Sequence, residues 1–148
     1  MLAQHSPLSL KVIDGQVKVL DIIRKQYVAF TPEEYVRQTL IHYLITEKNF
    51  PKNLISLEHE FKLNGQKKRA DIVVYNRQSK PVMIIECKAP KVKITQDAVN
   101  QVATYNIHYK VKYLLVTNGT NFYFFAVNRE SSETKSLKVI PEYEEIEK

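Results

Sequence analysis

Two acids and a lysine, Asp71, Glu86 and Lys88, stand at the ends of two apolar runs in KKRADIVVYNRQSKPVMIIECK, residues 67–88. Ile72–Tyr75 and Val82–Ile85 are rich in β-branched residues and read as buried strands. The polar segment Asn76–Lys80, closed by Pro81, reads as the turn between them. Paired as a hairpin, these strands bring Asp71 and Glu86 to adjoining ends on one sheet edge. Side chains alternate along a strand, so Glu86 and Lys88 share a face and Cys87 takes the other. Two hard carboxylates side by side suit Mg²⁺ or Mn²⁺, which keep several waters and bind phosphate oxygens. A lysine next to such an ion can orient or deprotonate a water and stabilise charge developing on a phosphate.

The surrounding charge sharpens this. Between Lys62 and Lys93 lie nine Lys or Arg residues, against only Asp71 and Glu86 as acids. A merely solvated surface mixes both signs. Two isolated acids in a basic field suit a metal site that faces a polyanion, with Lys67, Lys68, Arg69, Lys91 and Lys93 as non-specific phosphate contacts. The whole chain agrees in sign, with a net charge of +6 and a pI of about 9.3. That favours an anionic partner without naming it.

Asp, a hairpin and then Glu-x-Lys resembles the PD-(D/E)XK nuclease superfamily, with Ala70 where its name expects proline. Four blocks in order carry the resemblance further: TPEEYVRQ (Thr31–Gln38), KKRADIVVY, IIECKAP (Ile84–Pro90) and QVATYN (Gln101–Asn106). Together they resemble the N-terminal nuclease domain of type I restriction-enzyme restriction subunits, over roughly Val28 to Val127. The resemblance implies DNA as substrate and endonucleolytic cleavage. It makes Asp71, Glu86 and the Cys87 carbonyl the ligands of Mg²⁺ or Mn²⁺, and Lys88 the residue that acts on water. It also implies that Gln101 and Tyr105, four apart on one helix face, orient the site, and that an accessory acid comes from the first core helix. Glu34 is the first choice for that acid and Glu33 its rival, because Glu34 already has a structural job in a capping box. Other restriction-system subunits or a second copy are further expected partners.

Two rival readings keep the same residues. One is a nucleic-acid-binding or partner module with this fold and no cleavage of its own. The other is a structural domain in which Asp71, Glu86 and Lys88 form a salt-bridge network at strand ends.

Composition narrows the field. At 148 residues, 44% hydrophobic and 26% charged, the chain fits one ordinary globular domain. A single cysteine excludes a disulfide framework and a Cys-rich zinc site. No apolar stretch fits a membrane span or signal peptide, so a cytoplasmic protein is expected. With glycine only at positions 15, 65 and 119, no GxxxxGK[ST] loop is present and no ATP motor of that kind is expected.

The rest of the chain supplies the positioning elements. Residues 1–27 are an extension carrying a hairpin around Asp14-Gly15, 28–127 the core, and 128–148 a polar, acidic tail. Thr31 caps a helix with Pro32 in its first turn, running to about Glu47. In Leu54–Leu63, Ile55, Leu57, His59 and Phe61 alternate with Ser56, Glu58, Glu60 and Lys62 as a half-exposed strand, with His59 a packed histidine. Thr95 caps a second helix, and strands follow at Val111–Thr117 and Phe122–Val127. The tail is expected as a solvated end or as a strap over the basic groove. The fold class expected is α/β, a restriction-endonuclease-like three-layer α/β/α sandwich around a mixed sheet.

Overall fold

The computed structural model describes residues 8–131 and 133–148. Three short strands come first: β1 (Leu10–Ile13), β2 (Gln16–Asp21) and β3 (Gln26–Ala29), antiparallel in that order. Asp14 and Gly15 take φ of 52° and 76° between β1 and β2, the left-handed pair that a two-residue hairpin turn needs. The expected hairpin is therefore present, but it is part of a three-stranded sheet. β3 escapes a sequence reading because QYVA is too short to show a period; its pairing with β2 makes it a strand.

α1 (Pro32–Lys48) begins as expected. The Thr31 hydroxyl accepts from the Glu34 N–H at 3.0 Å, Pro32 sits in the first turn, and Asn49 ends the helix in a left-handed conformation. The main sheet follows, in the order β4 (Ile55–Leu63), β5 (Gln66–Tyr75), β6 (Pro81–Cys87), β7 (Tyr113–Thr117), β8 (Phe122–Val127) and β9 (Thr134–Leu137). It is mixed: β6 and β7 run parallel, and every other neighbouring pair is antiparallel. A parallel pair needs a crossover, and α2 (Gln96–Tyr109) supplies it. Thr95 holds the cap position of α2 in extended backbone, but its side chain makes no capping hydrogen bond. β9 lies in a stretch that reads as loop. Its TKSL has no apolar alternation, and it is a strand through edge pairing with β8.

Both faces of the sheet are covered. Ile72, Val74, Met83, Ile85 and Leu115 pack with Val36, Leu40, Ile41 and Leu44 of α1. Val73, Ile84, Leu114 and Val116 pack with Ala98, Val102, Tyr105 and Tyr109 of α2. The tail corrects an expectation. It forms a short helix, α3 (Tyr143–Glu147), that buries Tyr143 and Ile146 on the α1 side. Tyr143 Oη donates to the Tyr75 carbonyl at 2.8 Å, and Glu147 pairs with Arg77 in the β5–β6 turn. Tyr143 and Ile146, three apart among acids, give the segment an apolar face, so it docks instead of strapping the basic surface. No described helix is long and apolar enough to cross a membrane.

Candidate metal and nucleic-acid site

The ladder between β5 and β6 pairs Val73 with Ile84 and Ile72 with Ile85, and Asp71 and Glu86 are the next residues beyond its last pair. Asp71 Oδ2 accepts from the Cys87 N–H at 2.8 Å. Lys88 Nζ lies 3.3 Å from Glu86 Oε1, and the Lys88 N–H donates to the Thr117 carbonyl at 2.8 Å, which ties the end of β6 to β7. The two acids and the lysine are thus together, as their spacing predicts. The Cys87 side chain is fully buried in the α1-side core, and burial pushes its thiol well above the ordinary value. What Cys87 offers the site is its peptide group.

The electrostatics set the two acids apart from ordinary surface carboxylates. Burial is the main cause that raises Asp71 above its usual value; the Cys87 N–H opposes it, nearby Glu33 adds to it, and Arg37 and Lys88 counter. Glu86 is pushed up to about 7, by burial first and by the charge of Asp71 second, with Lys88 opposing. Like charges facing each other in a dry place cannot both ionise cheaply. A divalent cation removes that conflict, and the donors present are the hard oxygens that Mg²⁺ and Mn²⁺ prefer. Among the described residues no three His, Cys, Asp or Glu side chains form a metal cage. The arrangement fits an ion held by two carboxylates, a carbonyl and waters, the usual manner of Mg²⁺.

The acids of α1 divide differently from the expectation. Glu34 is buried and engaged: Arg37 Nε donates to its Oε2 at 2.9 Å, Arg37 Nη2 binds its Oε1, and Gln38 Nε2 donates to Oε2 at 3.0 Å. Its side chain belongs to an ion-pair network and not to the carboxylate pair. Glu33, one residue earlier and exposed, is the helix acid whose charge acts on both Asp71 and Glu86. The capping box expected from the sequence is only half formed: Thr31 bonds the Glu34 N–H, but the Thr31 N–H donates to the Ala29 carbonyl at 3.1 Å, and the Glu34 carboxylate turns onto Arg37, three residues on.

That network reaches well beyond α1. Arg24, in the turn before β3, binds buried Asp21, donates to Glu58 Oε2 at 2.8 Å and lies 3.7 Å from Glu34. Arg37 Nη2 donates to Glu58 Oε1 at 3.2 Å. Burial works against the charge of Glu58, but Arg37 and Arg24 outweigh it and hold the carboxyl below its usual range. Arg24, Val28, Ala29, Glu33, Glu34 and Arg69 are among the residues that line, with Asp71, a cleft of about 430 Å³. Of the stretch 1–27 that reads as an extension, Arg24 thus reaches the cleft, next to Val28 and Ala29 at the start of the expected core.

Glu58 carries a second feature that its residue type conceals. Its φ is 51° inside β4, a left-handed conformation that costs a non-glycine residue on the order of 1 kcal/mol. Ile55 and Leu57 before it pack in the α1-side core, whereas Phe61 after it packs against α2 and His59 bonds Tyr109 of α2 at 2.6 Å. Regular alternation predicts one face for all four. On the partner strand the same reversal falls at Asp71, with Ala70 in the α2-side cluster and Ile72 in the α1-side one. Asp71 therefore stands where the β4–β5 pair twists over.

Gln101 Nε2 donates to Tyr105 Oη at 2.9 Å, and the Tyr105 ring packs edge-on against Phe61 with centroids 5.0 Å apart. Of the basic cluster, Arg69 reaches the cleft, 3.9 Å from Glu58. Lys67 pairs with Glu60 at 3.1 Å, and Lys68, paired with Phe61, alternates to the other face. Lys91 and Lys93 are exposed in the loop after β6. The basic field is thus less one-sided than its sequence window, because Glu58 and Glu60 fold beside it.

The family described as type I restriction enzyme R protein N terminus (HSDR_N) matches residues 32–141. Among solved structures, a fragment of a chain described as an HsdR subunit of a type I restriction enzyme from Vibrio vulnificus YJ016 is similar, with a TM-score of 0.59 at 20% identity. The match covers 77% of this chain and 24% of that one, so the chain spans about a quarter of its length. At that identity the likeness is one of fold. No curated protein matches in sequence.

Proposed function

The chain belongs to the family of type I restriction enzyme R protein N termini, and from that membership we propose that it is a Mg²⁺- or Mn²⁺-dependent phosphodiesterase that cuts DNA internally. The observation that carries the proposal is Asp71 and Glu86 together just past the end of the β5–β6 ladder, Asp71 bonded to the Cys87 N–H and Lys88 on Glu86, with both acids pushed toward protonation by burial. Helices on both faces of a mixed sheet support the restriction-endonuclease-like three-layer reading.

Asp71, Glu86 and the Cys87 carbonyl are the groups that would hold the ion, with Glu33 as the outer acid in place of Glu34. When bound, such an ion polarises the scissile phosphate and acidifies its water. Lys88 orients the attacking water and offsets negative charge as it develops on the phosphate. Gln101 and Tyr105 brace the α2 side, and Arg69, Lys91 and Lys93 hold phosphates without reading bases.

The length relation favours a second reading: a chain that spans a quarter of its structural relative is a binding module that cleaves only alongside the remainder of such a protein. One experiment separates the two. Pure protein with Mg²⁺ or Mn²⁺ is incubated with linear, circular and single-stranded DNA, beside Asp71→Ala and Lys88→Ala. Nicking of circular DNA that both variants lose supports the nuclease. Equal inactivity of all three proteins leaves the module.

A further inference from the structure

Lys11 and Lys18 face each other across the β1–β2 ladder. Like charges directly opposite in an antiparallel pair destabilise it, and among the described residues neither lysine has a carboxylate partner. The acids of residues 8–31 are Asp14, in the turn, and Asp21, buried against Arg24. Lys18 in turn pairs with Ala29 of β3. Ala29, Lys18 and Lys11 therefore form one row across the three strands, on the face opposite buried Val19 and Asp21. Lys11 Nζ lies 5.6 Å from the centre of the Tyr27 ring, which keeps its ammonium on that face.

The row begins at the cleft. Ala29 lines it together with Arg24, Arg69 and Asp71. Neighbouring strands are about 4.8 Å apart, so Lys18 and Lys11 stand roughly 5 and 10 Å from Ala29 along the sheet. That is a length of roughly three nucleotides at 3.4 Å per step. We propose that this row is a phosphate track: a nucleic-acid strand leaving the cleft lays backbone phosphates on Lys18 and then Lys11. An uncompensated pair of like charges beside the candidate site is then explained by the polyanion that neutralises it. The proposal rests on the nucleic-acid reading above. It extends the contact to residues outside the family match at 32–141.

The test is salt-dependent binding of a short labelled duplex, and of its single strand, to the full chain in EDTA, read by fluorescence anisotropy. Each phosphate contact contributes about 0.9 to the slope of log affinity against log salt on duplex, and about 0.7 on single strands. Lys11→Gln with Lys18→Gln should lower the slope by about 1.8 or 1.4 respectively, with thermal stability unchanged or raised. Lys135→Gln with Lys138→Gln, at the far edge of the main sheet, should leave it as it is. A slope that falls no further in the first variant than in the second overturns the track, as does a wild-type chain that binds neither probe. Mg²⁺-dependent nicking that Asp71→Ala abolishes, found together with an unaltered slope, would remove the track and leave the nuclease reading standing.

Discussion

Glu86→Gln should stabilise the metal-free protein while destroying its site. Glu86 is 8% exposed and its carboxyl is raised from 4.5 to about 7. A rise of roughly 2.5 units at about 1.4 kcal/mol each makes the ionised form cost the fold about 3 kcal/mol. The sign follows from proton counts. Between pH 4.5 and 7 the unfolded chain binds fewer protons at this position than the folded one, so stability falls as pH rises through that window. Glutamine mimics the protonated acid at every pH. The variant should therefore match wild type near pH 4.5 and exceed it by up to about 3 kcal/mol at pH 8, an upper limit because Lys88 loses its partner. Urea denaturation in EDTA at both pH values measures this; with a slope of about 2 kcal/mol/M the midpoint moves by roughly 1.5 M. Saturating Mn²⁺ should reverse the order, since an ion at about 1,000 times its dissociation constant adds about 4.1 kcal/mol to wild type alone, more than the variant's lead. Equal or lower stability of the variant at pH 8, or the same gain at pH 4.5, would refute the claim that charge repulsion in a dry site is stored here. By the same protonation, Mn²⁺ affinity of wild type should rise with pH by up to about tenfold per unit up to pH 7 and then level off.

Three further outcomes follow from the geometry. Arg37→Met leaves buried Glu34 and partly buried Glu58 without their main cation, and should cost about 3–5 kcal/mol in denaturant titration. Glu33→Gln should weaken Mn²⁺ binding by calorimetry at unchanged stability, whereas Glu34→Gln should lower stability by about 1–3 kcal/mol through its Arg37 pair; the opposite pattern would restore Glu34 as the site acid. Deleting residues 141–148 uncovers the pocket of Tyr143 and Ile146 and should destabilise the fold by about 3 kcal/mol or more. If the truncated chain instead keeps its stability and binds DNA more tightly, the tail is a strap after all.

How far the sequence reaches depends on how local the cause is. The β5–β6 hairpin, the cap at Thr31, the Gln101–Tyr105 bond and the meeting of Asp71, Glu86 and Lys88 are consequences of period, turn chemistry and spacing over at most 18 residues. Such features are dictated by neighbouring side chains and the pleat, so they are legible one stretch at a time. β3 and β9 are not, because each is short and is a strand only through its partner. The same holds for α3, whose two buried side chains find their pocket on elements far back in the chain.

The site divides along that line. By itself the sequence determined which groups could hold a cation and which ammonium lies beside them. Only the tertiary structure decided that the charge of Glu33 acts on Asp71 and Glu86, and that the Glu34–Arg37 pair is drawn into a network with Glu58, 21 residues from Arg37. It also decided that β4 reverses its faces at Glu58, which regular alternation forbids, and that Arg24 reaches the cleft through a contact with Glu58 spanning 34 residues. Charges that far apart in sequence carry no mutual period, and their pairing is set by the packing that brings their strands together.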